Sequence, residues 1–163
     1  MNSYPSHIQA AEAADAIATQ LQPSKAEANP PRILIADDLA CLAKLMQACL
    51  VSEGYSVTVV HDGKAAADFL GQCPAPVNLA ILDIEMPGLD GFEVCAFIRR
   101  HKHLANLPII ISTGRDNPED RKLAACLDVH AFIPKPFTIQ DLLRAVRSAL
   151  QMKLDSVANN THL

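Results

Sequence analysis

The stretch LAILDIEMPGLDGFE, residues 79–93, changes character twice. Leu79 to Leu82 are aliphatic, Asp83 and Glu85 are acidic, Met86-Pro87-Gly88 interrupts any regular element, and helical spacing resumes after it. An apolar run this short suits a strand covered on both faces better than a helix. The strand ends on a carboxylate, and Pro87-Gly88 is a turn signal in its own right. The chain therefore shows strand, charged strand end, irregular loop and helix within a few residues.

That unit recurs. Runs of mostly β-branched or aliphatic residues occur at 32–36 (RILIA), 56–60 (SVTVV), 79–82 (LAIL), 108–112 (PIIIS) and 131–134 (AFIP), each continuous rather than alternating. The segments between them have helical spacing. Leu39, Leu42, Met46, Cys49 and Leu50 are predicted to share one face, as are Ile139, Leu142, Leu143, Val146, Ala149 and Leu150. Gly54 stops the first helix, Asn117-Pro118 opens the fourth as cap and first-turn proline, and Thr138 with Asp141 opens the fifth in a capping-box-like arrangement. Five strand–helix repeats require right-handed crossovers, so the predicted fold is α/β: a five-stranded parallel sheet, doubly wound with helices on both faces. Ligands of that architecture bind beyond the carboxyl ends of the strands.

Composition narrows the class. The 163 residues are 50% hydrophobic and 20% charged, which fits one globular domain with appendages. A net charge of -4 without a basic stripe argues against nucleic acid, and no apolar run is long enough to cross a bilayer. Cys41, Cys49, Cys73, Cys95 and Cys126 form an odd set without a CxxC pair, expected to be reduced core thiols of a cytosolic protein. The chain start lacks the charge and apolar stretch of a secretory signal, so the cytoplasm is the expected compartment. Residues 1–31, alanine-rich and interrupted by Pro23, Pro30 and Pro31, read as a flexible arm dispensable for folding. The domain is expected over 32–152, with 153–163 a frayed tail. His101 and His103 read as solvated surface histidines.

The strand ends carry the chemistry. Asp37 and Asp38 follow the first strand, Asp83 the third, Ser112 and Thr113 close the fourth, and Lys135-Pro136 follows the fifth. One acid after a strand can be a helix cap. Three carboxylates within about 4 Å would repel by roughly 4 kcal/mol per pair at an effective dielectric near 20, so a cation is required. Oxygen ligands with no nearby cysteine or histidine favour a hard divalent ion, and a small site suits magnesium. Lys135 supplies a second positive centre able to pair with Asp83. A carboxylate beside magnesium, a lysine and a hydroxyl is arranged to accept a phosphoryl group, because in-line transfer needs little beyond positioning and charge neutralisation.

These residues carry a resemblance. ADD at 36–38, LDIEMPGLDG at 82–91, PIIISTG at 108–114 and FIPKPF at 132–137 make the segment Arg32 to Met152 similar to the receiver domain of bacterial two-component response regulators, of the single-domain chemotaxis-regulator kind. The resemblance implies a flavodoxin-like fold with strand order 2-1-3-4-5. It implies phosphorylation of Asp83 by a sensor histidine kinase or histidine-phosphotransfer protein, and a Mg2+ site made by Asp37, Asp38, Asp83 and the backbone carbonyl of Glu85. Thr113 would hydrogen-bond the phosphoryl oxygens, Lys135 would pair with them, and Phe132 would be the switch aromatic. A cis Lys135-Pro136 bond is implied as well. Asp128 stands where the family has glycine, and aspartate tolerates positive φ better than most residues.

Two other readings compete with this one. An aspartate-nucleophile phosphatase expects a second aspartate two residues on, where this chain has Glu85, and a cap domain. A phosphorylation-independent receiver-like interaction module typically lacks an acid or the lysine, and here every position is filled. The expectation is a phosphoacceptor signalling domain, not an enzyme with a separate substrate, that assists its own phosphorylation and dephosphorylation. With only 11 residues after Met152, it reads as a stand-alone regulator working through protein contacts, or as a relay intermediate.

Overall fold

A computed structural model describes residues 29–159 except residue 74. Five strands, β1 (Arg32–Ala36), β2 (Ser56–Val60), β3 (Leu79–Leu82), β4 (Ile109–Thr113) and β5 (Ala131–Pro134), alternate with five helices, α1 (Ala40–Ser52), α2 (Gly63–Gln72), α3 (Gly91–Arg100), α4 (Pro118–Cys126) and α5 (Ile139–Asn159). The strands form one parallel sheet in the order β2-β1-β3-β4-β5. Chain order reverses direction between β1 and β3, and that crevice is where the carboxyl ends of such a sheet are open to a ligand.

Both faces of the sheet are packed. Ile33, Ile35, Leu79, Ile81, Ile110 and Ile133 point to one side, against Ala43, Met46 and Leu50 of α1 and Leu142, Val146 and Ala149 of α5. Leu34, Ala36, Ala80, Leu82, Ile109 and Ile111 point to the other, against α2, α3 and Ala124 of α4. β3 and β4 are buried throughout, as continuous apolar runs predict. β2 and β5 are only partly covered, because each is an edge strand with a neighbour on one side.

Several helix signals hold. Asn117 caps α4 by accepting from Asp120 N–H with Pro118 behind it, Gly54 ends α1 at φ 89°, and Thr138 and Asp141 exchange hydrogen bonds at the start of α5. Asp90 with Glu93 forms a complete capping box on α3. Asp128 adopts φ 52° and Lys135-Pro136 is cis.

Other expectations shift. The buried stripe of α1 is Ala43, Met46 and Leu50, whereas Leu39 precedes the helix as its N-cap residue and is 55% exposed. Only Cys95 is a core thiol, and burial pushes it up to about 12; Cys41 and Cys126 are exposed, since each sits on the outward arc of its helix. β4 begins and ends one residue later than read, which brings Thr113 into the sheet. Helix α5 continues past Met152 to Asn159 although the sequence there has no periodicity; extending an existing helix avoids the cost of nucleation. The arm's residues 1–28 and the tail's 160–163 lie outside the described residues.

Opposite the carboxyl ends, Arg99 at the end of α3 ties the loops together. Its guanidinium donates to four backbone carbonyls: Leu127 (2.8 Å), Ala105 (3.0 Å), Leu107 (2.9 Å) and Asp128 (2.8 Å). These oxygens precede β4 and β5, and a planar fork of five donors satisfies them together where a lysine could not. Arg99→Ala is expected to destabilise the domain by about 3 kcal/mol, and Arg99→Lys to recover less than half of it, read from urea midpoints. Near-equal stability of wild type and Arg99→Ala would show that water replaces the clamp.

Candidate functional site

The parallel register places the site. Ala36 pairs with Leu82, Leu82 with Ile111 and Ile111 with Phe132, so Asp37 and Asp83 emerge one residue beyond the last pair of adjacent strands. Backbone bonds continue the ladder through them: Asp37 N–H donates to Val60 O at 3.2 Å, Asp83 N–H to Ala36 O at 2.8 Å, and Lys135 N–H to Thr113 O at 2.7 Å. The charged side chains thus extend from rigid backbone. Asp37 and Asp83 are almost fully buried, and Asp38 is exposed.

One carboxylate oxygen from each of Asp37, Asp38 and Asp83 lies within 4.8 Å of the others, an oxygen-only set suited to a hard divalent cation. Lys135 Nζ donates to Asp83 Oδ2 at 2.7 Å and to Asp37 Oδ2 at 2.8 Å. The lysine thereby bridges the two buried carboxylates, a second partner beyond the Asp83 pairing expected from sequence. Burial works against the Lys135 ammonium, but the hydrogen bonds it donates to Asp37 and Asp83 outweigh it and hold the group above its ordinary range. One ammonium facing three carboxylates leaves the cluster anionic, so the residues present fit a bound metal ion.

The loop after β3 stays irregular, as its Pro-Gly pair implied. Asp83 Oδ1 accepts from Glu85 N–H at 3.2 Å, and Gly91 N–H donates to Ile84 O at 3.0 Å. Glu85 is exposed, and its carboxylate reaches toward Gly114, where an added Cβ would stand 4.0 Å from Oε2. Gly91 begins α3 hard against the strand end: a Cβ there would overlap the Asp83 carbonyl oxygen. Thr113 is fully buried, and its Oγ1 accepts from Arg115 N–H at 3.1 Å. Ser112 does not join it, because alternation along β4 turns successive side chains to opposite faces. Ser112 Oγ is buried without a hydrogen-bond partner, and nothing in the structure gives it a role.

Asp37 is not the helix cap; its Oδ1 accepts from Leu39 N–H at 2.9 Å and braces the turn into α1. His61 was missed. It directly follows β2, and its Nδ1 lies 2.9 Å from the Asp37 carbonyl oxygen. A carbonyl only accepts, so Nδ1 carries the proton in that contact. Reading the residue after every strand, the second included, would have found it. His101 stacks on Phe97 with ring centroids 4.0 Å apart, and His103 is exposed, so neither belongs to the site.

Residues 33–147 match the family model described as the response regulator receiver domain. The chain belongs to that family. Receiver domains are the signalling modules of phosphorylation-based two-component systems. Among curated relatives, the transcriptional regulatory protein GltR of Pseudomonas aeruginosa is 35% identical over 76% of this chain and 50% of its own length. Response regulator MprA of Mycobacterium avium is 36% identical over 74% of this chain and 51% of its own. The chain spans about half the length of the curated relatives it matches. A solved CheY-like receiver domain protein from Methanospirillum hungatei superposes with TM-score 0.72 at 26% identity, covering 78% of this chain and 99% of that one. No helix among the described residues is long and apolar enough to cross a membrane.

Removing the Lys135 ammonium leaves two buried carboxylates facing each other. Lys135→Met is expected to cost about 3 kcal/mol without divalent cation, and added Mg2+ should raise its melting temperature by more than it raises that of wild type. The lysine's folded pKa is raised, so its contribution is complete below about pH 10.5 and is lost as pH rises through the folded value. Stability above pH 10.5 should therefore fall less steeply in Lys135→Met than in wild type. Parallel pH profiles would remove Lys135 from the electrostatic account.

Proposed function

We propose that this receiver domain accepts a phosphoryl group on Asp83 from the phosphohistidine of a sensor histidine kinase or histidine-phosphotransfer protein, and signals through protein contacts. The observation that carries this reading is the pair of hydrogen bonds from Lys135 Nζ to Asp83 and Asp37 beside a third carboxylate. An Asp83 oxygen attacks phosphorus and forms an O–P bond. The N–P bond breaks, and its electron pair returns to the imidazole of the donor. Lys135 moves from pairing two carboxylates to pairing a phosphoryl oxygen with Asp37. Thr113 turns its hydroxyl proton toward another oxygen, and the backbone bond from Lys135 N–H to Thr113 O keeps the two groups in step.

Asp37, Asp38, Asp83 and the Glu85 backbone carbonyl would hold Mg2+. When bound, the ion supplies neutralisation of the charge on the phosphoryl oxygens. Hydrolysis of the acyl phosphate by the domain itself belongs to the same proposal, with Gly114 leaving that side of the site uncovered. A cytoplasmic setting and the absence of direct nucleic-acid contact complete the reading.

Incubation with acetyl phosphate and Mg2+ should add one phosphoryl group by intact mass, and Asp83→Asn or a chelator should abolish the gain. Lys135→Ala should still be labelled but show muted amide shifts around Ala131-Phe132 and Arg121-Ala125 with beryllofluoride, which mimics the phosphoryl group. Labelling that persists in Asp83→Asn would overturn the assignment. Wild-type protein that takes no label would favour a phosphorylation-independent interaction module.

A further inference from the structure

The loop joining β4 to α4 carries two ion pairs that the transfer chemistry does not use. Arg115 donates from Nε and Nη2 to the buried carboxylate of Asp120, at 2.6 and 2.9 Å, while its own N–H is bonded to Thr113 Oγ1. One residue on, Asp116 accepts from Nε and Nη2 of Arg121, at 2.6 and 2.8 Å. Arg121 is then held with its Cζ 4.9 Å from the centroid of the Phe132 ring. A guanidinium is planar, so its edge can bind a carboxylate while its flat face lies on an aromatic ring.

We propose that Asp116 and Arg121 form a latch that keeps Phe132 in its outward, half-buried position until Thr113 is drawn toward a phosphoryl group on Asp83. The proposal rests on the phosphoacceptor reading of the site. Phe132 pairs with Ile111 across β4 and β5 and packs into the same core, and Thr113 lies two residues beyond Ile111 on that face of β4. Thr113 is fully buried on that side, so its displacement is what would open space there for the ring. Arg121 attracts the ring only while the ring stays outside. Asp116, which orients the guanidinium, is three residues from Thr113 on a loop in which the preceding residue, Arg115, is bonded to the Thr113 hydroxyl. Displacing Thr113 therefore makes room for the ring and unseats the cation above it in one motion.

An ion pair this exposed, taken alone, has little effect on stability. Its placement over one ring gives it a specific one: it weights the outward over the inward rotamer by about two- to fivefold, the range expected for an exposed cation on an aromatic face. Arg121 is thus a positioning residue for the switch. It lowers the fraction of unphosphorylated domain already in the switched packing, and with it the basal signal.

The test is the apparent affinity for beryllofluoride with Mg2+, titrated by amide NMR, in wild type, R121Q, D116N, F132L and the double variant R121Q/F132L. R121Q is expected to bind about two- to fivefold more tightly, because a larger fraction of molecules is already competent. D116N should gain less, in the same direction, since it leaves the cation but frees it. In the F132L background R121Q should change nothing, whereas a general loosening of α4 would act there equally. Unaltered affinity in R121Q, or the same gain with and without the ring, would overturn the latch while leaving Asp83 as acceptor. No beryllofluoride binding by wild type would overturn the acceptor reading, and the latch with it.

Discussion

Two carboxylates buried at the open end of a parallel sheet, Asp37 and Asp83, need a cation, and in this structure the Lys135 ammonium meets both at 2.7 to 2.8 Å. Unpaired, two such buried charges would repel each other and force the strand ends apart. The pairing spans almost the whole domain, since Lys135 follows the last strand and Asp37 the first. Every intervening element must pack correctly before the ammonium arrives. Compensation of the two buried charges and completion of the fold are consequently one condition.

The sheet converts that condition into geometry. β3 and β4 are covered on both faces, so Asp83 and Thr113 extend from packed backbone at the strand ends. Beyond the end of β3 the backbone becomes irregular. The irregular loop from Ile84 to Asp90 is closed by Gly91, whose lack of a Cβ lets α3 begin against the Asp83 carbonyl. A carboxylate on packed backbone beside an irregular loop suits the proposed acceptor role, in which the group must be held while a large donor docks.

Much of this is legible in the residues alone. Continuous apolar runs mark the five strands, and the acids and lysine at their ends mark the cluster, because in a parallel sheet the ends of distant strands meet on one edge. Legibility stops where the outcome depends on which side of an element a residue takes. Ser112 and Thr113 are neighbours in sequence but face opposite ways, and Leu39 looks like a core residue although the helix begins after it. Cys41 and Cys126 sit within apolar patterns yet face outward. The four carbonyls gathered by Arg99 are invisible for a different reason: backbone oxygens leave no mark in a sequence.

That gathering has a mechanical meaning. Arg99 fixes the carbonyls of Leu127 and Asp128, immediately after α4, whereas the start of the same helix hangs from the loop beyond Thr113. A rod about 13 Å long, pinned at one end and pulled at the other, pivots rather than slides. Displacement along α4 would then be graded, largest near Glu119 and vanishing near Cys126. A partner seated on the first turn would feel the full stroke, and one seated on the last turn would feel almost none.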